Sequence, residues 1–222
     1  MKMSAKLIIT FLSLFFLTSA FAQKPFFMNK EGVVLTFETK NAKKKVTGSS
    51  IMTVTKVDGD AANCTVTYET MVLDPKKKPM LSKPLVMSVK IVNGAVQLDP
   101  ASLVGTLSEG MQVSGGSMTL PNNLSAGSVF ENYDISIAMG LIKTSSAFSD
   151  IKATVEETLD VAGMSIECVV VECAVLSKVI GIKSETTQKT WYARNIGIVK
   201  TETYDKKGKL FTTQELISIE GL

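Results

Sequence analysis

The chain has 222 residues, with 24 Lys+Arg against 21 Asp+Glu, three cysteines and no histidine. The missing histidine removes Ser-His-Asp and Cys-His nucleophilic sites and every His-ligated zinc, iron or haem centre. A hydrophobic fraction of 45% with 20% charged residues and 6 prolines describes a chain able to fold around a core.

Residues 1–22 read as a secretory signal peptide. Lys2 and Lys6 give the positive start, Leu7 to Leu17 the apolar core, and Thr18-Ser19-Ala20-Phe21-Ala22 a small-x-small cleavage pattern. The apolar stretch falls short of the ~20 residues that span a bilayer. No Cys stands near position 23, which speaks against an N-terminal lipid anchor. Cleavage after Ala22 predicts an exported chain, periplasmic or extracellular, with no membrane span in residues 23–222. Without Lys2 and Lys6, 22 basic residues face 21 acidic ones. That near-balance offers no electrostatic footprint for nucleic acid.

Export permits disulfides, and Cys64, Cys168 and Cys173 allow at most one. Cys168 and Cys173 lie in Cys-Val-Val-Val-Glu-Cys, which reads as strand. Five residues of strand span about 16 Å and put the two side chains on opposite faces, too far apart for a bridge. Cys64 can pair with either; Cys64–Cys168 is the expected bridge. The alternative is three buried thiols acting as small apolar residues.

From residue 32 onward the apolar pattern has period two. Gly32–Thr39, Ser49–Val57 and Cys64–Val72 are rich in β-branched and aromatic residues, as strands prefer. Asp58-Gly59-Asp60 supplies a turn between the second and third. Leu85–Ile91 and Ala95–Leu98 flank Asn93-Gly94, a strong hairpin signal. Asp99-Pro100 opens a candidate short helix through Leu107, with Asp99 as cap. A Ser-Gly-Gly-Ser loop at 114–117 precedes a short run at Met118–Pro121. Further strands are predicted at Val129–Met139, Ile151–Val161, Met164–Val171 and Val175–Ile182. The C-terminal strands are Glu185–Ala193, Gly197–Tyr204 and Leu210–Ile219, joined at Arg194-Asn195 and at Asp205-Lys206-Lys207-Gly208. With no linker and no fixed-period repeat, residues 23–222 read as one all-β domain.

The run Lys189-Thr190-Trp191-Tyr192-Ala193-Arg194-Asn195-Ile196-Gly197-Ile198-Val199-Lys200-Thr201-Glu202-Thr203-Tyr204, followed by Lys206-Lys207-Gly208-Lys209-Leu210, resembles the C-terminus of the exported TapB-like family of uncharacterised Gram-negative envelope proteins. Val161-Ala162-Gly163 through Cys168 is similar to the same family's strand–Gly–strand–Cys step. The resemblance covers about residues 155–220. It implies an antiparallel curved sheet forming a barrel or half-barrel and no assigned catalytic residues; with the candidate short helix at Asp99-Pro100, the expected fold is all-β with one short helix.

Three residues are candidates for ligand binding. Trp191 and Tyr192, adjacent on one strand, offer either an aromatic wall or a core anchor. Arg194, the single arginine, offers a bidentate clamp for a carboxylate or phosphate, or a solvated turn side chain. The clusters Lys43-Lys44-Lys45, Lys76-Lys77-Lys78 and Lys206-Lys207-Gly208-Lys209 all fall at predicted turns. They would attract anionic headgroups if gathered at one end, although solvated hairpin tips account for them as well. Asp58 with Asp60 and Glu156 with Glu157 are the closest carboxylate pairs, and neither shares a pocket by local geometry. No metal ligand set, cofactor motif or catalytic set emerges. The expectation is a non-catalytic protein that binds an apolar or lipid-like ligand in the concavity of the sheet. The alternative is an envelope interaction module that uses a sheet edge.

Overall fold

A computed structural model describes residues 24–103, 111–139 and 142–222. The leader expected at 1–22 lies outside the described residues, as does the second half of the expected short helix. Its first half is a single 3-10 turn, Pro100–Leu103.

Among the described residues, thirteen antiparallel strands form one sheet. They are β1 Val34–Asn41, β2 Val46–Gly59, β3 Cys64–Leu73, β4 Leu85–Val92, β5 Ala95–Leu98, β6 Met111–Gly115 and β7 Met118–Leu120, then β8 Tyr133–Met139, β9 Ile142–Val161, β10 Met164–Val179, β11 Ile182–Ala193, β12 Gly197–Asp205 and β13 Leu210–Glu220. Their spatial order is β6-β8-β9-β10-β11-β12-β13-β1-β2-β3-β4-β5-β7. The sheet is open, with β6 and β7 as its edges. Those edges are consecutive in sequence and separated by only Gly116 and Ser117. The two ends of the sheet therefore meet at one kink of the chain, which is why so long a sheet leaves only short free edges. Gly115 makes the kink. Its φ is 141°, and a Cβ there would stand 2.0 Å from the Asp134 carbonyl oxygen, so only glycine fits.

Two expected boundaries are corrected. The strand expected at Ile151 starts at Ile142, because the polar run 143–149 is paired on both sides, by β8 and by β10. The strand expected at Val175–Ile182 is instead the end of β10, a turn, and the start of β11. Ile180 (φ 47°) and Gly181 (φ 84°) form a two-residue turn with both residues left-handed.

Because every pairing is antiparallel, the turns sort onto two ends. One end carries 42–45, 74–84, 180–181 and 206–209; the other carries 60–63, 93–94, 162–163 and 194–196. At the second end the segment from Pro25 crosses the sheet. Phe26, Met28 and Val33 are buried there, and the Asn195 N–H donates to the Pro25 carbonyl at 2.7 Å. Residues 127–130 run beside the lower half of β9, where Gly127 and Phe130 donate to Ala153 and Ile151.

Candidate functional site

The expected ligand-binding residues are neighbours in sequence, and the structure gives them three different surroundings. Strand β11 is buried at four consecutive positions, Thr190 to Ala193. Simple alternation fails here because both faces are covered. Trp191 is 6% exposed. Its indole N–H donates to the Glu157 carboxylate on β9, and the Lys200 ammonium lies 4.7 Å from its ring centroid. Lys200 also pairs with Glu202 at 2.7 Å. The indole is thus a core anchor with a polar handle. Tyr192 is equally buried, and burial pushes its phenol far up from the usual range.

Arg194 is no solvated turn residue. One guanidinium nitrogen donates to the Lys24 carbonyl at 2.9 Å, the other to the Asn122 carbonyl at 2.9 Å, and the plane stacks 4.3 Å from the centroid of Phe26. It ties the first described residues and the loop after β7 to the end of β11. Burial lowers its pKa, and Glu156 works against that shift.

Arg194 lines an open cleft of about 720 Å³ together with Phe26, Glu156, Glu157, Glu167 and Cys168. Its groups are poorly placed for chemistry. Glu156 accepts from the Ala126 N–H at 3.1 Å, and Glu157 holds the indole. The Cys168 thiol, pushed up to about 11 by burial and by Glu157, stays protonated at neutral pH and is a weak nucleophile. Among the described residues, no group of three or more acidic or thiol side chains is arranged to hold a metal ion.

The expected Cys64–Cys168 disulfide is absent. Cys64, Cys168 and Cys173 are free thiols, the first two buried. Cys64 lies on β3 and Cys168 on β10, with β11, β12, β13, β1 and β2 between them in the sheet. Cys173 shares β10 with Cys168, and burial pushes its thiol up to about 11.

The sequence pattern did not reveal a second concavity, as open as the first, where the two ends of the sheet meet. It has a volume of about 180 Å³ and is lined mainly by Tyr68, Met87, Leu98, Met118, Tyr133 and Ile135. Those residues come from β3, β4, β5, β7 and β8, so no local motif could announce them. Tyr133 stacks on Phe148 with centroids 4.5 Å apart. The Tyr68 hydroxyl donates to the Met87 sulfur at 3.7 Å. Burial raises both phenols to about 12, so the two rings stay neutral, beside the Asp99 carboxyl that also lines the space. The cavity matches the ~150 Å³ engineered void that takes one benzene ring, and falls below the ~300 Å³ of ordinary ligand sites.

All three lysine clusters lie at the end of the sheet opposite Arg194. No described helix is long and apolar enough to cross a membrane.

Comparison with known proteins agrees with this architecture. No curated relative matches the chain. Two solved structures superpose on 89% of it. One, from Bacteroides fragilis NCTC 9343, is described as exported and as having a YmcC-like fold; it is 20% identical, is covered over 100% of its own chain, and gives a TM-score of 0.76. The other, described as a lipoprotein of Parabacteroides distasonis ATCC 8503, is 19% identical, is covered over 99%, and gives 0.75. At such identities the likeness is one of fold, and neither description names a catalytic activity. The finer TapB-like assignment receives no support from these matches. The sequence signature of the DUF3108-like family matches residues 30–216, most of the chain and far more than the C-terminal region, and the chain belongs to that family.

Proposed function

We propose that this is an exported envelope protein that acts by binding rather than by catalysis, taking a short apolar group into the cavity where the sheet ends meet. The end of a single acyl chain fits the size and character of that space. The observation that carries the reading is the cavity itself, about 180 Å³ of space walled by Met87, Leu98, Met118 and the neutral rings of Tyr68 and Tyr133. Filling such a void with apolar atoms restores lost dispersion contacts and removes ligand surface from water. Export is supported by the leader-like first 22 residues and by the descriptions of the two structural neighbours. Edge pairing with a partner strand draws less support, since β6 has 5 residues and β7 has 3. Trp191, Tyr192 and Arg194 act in this account as the frame of the opposite end.

The test is native mass spectrometry with solvent extraction of the protein purified from the periplasm without detergent. A stoichiometric apolar adduct that disappears in Leu98→Trp, a variant that fills the cavity, is the expected result. A clean ligand-free mass from folded wild-type protein would overturn the reading.

A further inference from the structure

The turns at the lysine end share one construction. Asn41, Asp74 and Asp205 each begin a turn in which their side-chain oxygen accepts N–H groups two and four residues on, at 2.8–3.1 Å. In each, the N–H three residues on donates back to the first residue's carbonyl at 2.8–2.9 Å. That third position is left-handed every time: Lys44 at φ 58°, Lys77 at 61° and Gly208 at 75°. Glycine is the residue such a position favours, and the third turn has it. The other two carry lysine in an unfavourable backbone conformation, so the turn itself does not explain the choice.

A second observation points the same way. The two-residue turns Asn93-Gly94 and Ala162-Gly163 at the opposite end place residues tolerant of the left-handed region, or small ones, at their first position. Ile180-Gly181, at the lysine end, places a β-branched residue there at φ 47°, where such residues are genuine outliers. Ile180 is 72% exposed, and Ile182 is 76%. Met80 at 64% and Phe211 at 62% follow the lysine runs of two other turns. Of the five most exposed large apolar side chains among the described residues, only Val129 lies elsewhere. Lys178 and Lys183 flank the Ile180 tip, and Lys143 begins the neighbouring strand, all exposed. The opposite end instead presents Asp58, Asp60, Asp160 and Glu167 beside its turns. A nearly neutral chain is thus electrically polarised along its strands.

We propose that the lysine end is a docking surface for an anionic phospholipid bilayer, with the Ile180–Ile182 tip entering the headgroup boundary while the lysine turns bind phosphates around it. Basic residues next to a negative surface and apolar side chains at its boundary supply the two attractions that peripheral membrane binding combines. Neither attraction depends on the interior cavity, so this surface and the acyl-binding reading succeed or fail separately.

The test is co-sedimentation of the exported, processed protein with vesicles of phosphatidylcholine alone and of phosphatidylcholine mixed with phosphatidylglycerol. Binding is expected only to the mixed vesicles and to weaken as salt rises. Each lysine-to-glutamate change among Lys44, Lys77 and Lys207 should weaken it by roughly fivefold or more. Ile180→Ser with Ile182→Ser should weaken it further, while Lys56→Glu at the other end should have little effect. Circular dichroism would confirm that each variant folds. Equal binding to both vesicle types, no binding at low salt, or indifference to the lysine changes would overturn the proposal. Failure at low salt would turn the search to an acidic protein partner.

Discussion

The two ends of the sheet solve the same local problem, reversing a strand in a few residues, with different side chains. At the arginine end the turns hold Asn93-Gly94, Ala162-Gly163 and Asp60 to Asn63, and the segment from Pro25 packs against that end. Phe26 and Met28 are buried across that end, and Arg194 joins segments 72 and 170 residues away in sequence. At the lysine end nothing among the described residues covers the tips, and Ile180, Lys44 and Lys77 occupy backbone positions that suit glycine better. One end is built for packing. The other accepts local strain and exposes charge and apolar surface together, the pattern expected of a surface kept for contact rather than for stability.

The comparison can be broken most forcefully at Trp191. Trp191→Ala removes a buried ring together with its Glu157 hydrogen bond and its Lys200 contact, and should cost about 3–5 kcal/mol in denaturant unfolding. Arg194→Ala, at the same end, should cost a further, smaller amount, on the order of 1–3 kcal/mol, because the Asn122 and Lys24 carbonyls lose charge-assisted partners. Ile180→Ser should change stability by under about 0.5 kcal/mol, since the side chain is mostly in water. Losses of similar size at both ends would erase the distinction. The last expected effect has the opposite sign. Lys44→Gly and Lys77→Gly should each raise stability by up to about 1 kcal/mol by relieving the left-handed backbone, while weakening vesicle binding. A loss of stability in both would mean that the lysines serve their turns.

The all-β class and most strands were legible because period-two patterns of Val, Ile, Thr and Tyr persist along the chain. The 143–149 stretch was not, since Lys-Thr-Ser-Ser-Ala-Phe-Ser carries little strand signal and becomes strand only between two neighbours. Ile180 hid its turn for a related reason: an isoleucine at a left-handed position contradicts the usual turn chemistry. The lysine turns could be read one by one, but their gathering at one end is a consequence of strand order. Arg194 was visible as the single arginine, yet its role depends on carbonyls far away in sequence. The apolar cavity draws on five strands, and no spacing rule joins them. Strand geometry within β10 excludes a Cys168–Cys173 bridge but says nothing about where Cys64 on β3 lies.

Trp191 is the only tryptophan in the chain and lies buried at the arginine end. It therefore offers a direct test of which end meets the membrane. Fluorescence quenching by brominated phospholipids in mixed phosphatidylglycerol vesicles would be compared between the wild-type protein and Ile180→Trp, with both bound. The account predicts strong quenching of the residue introduced at position 180 and little of Trp191. Equal quenching of wild type, or none in the bound variant, would contradict it.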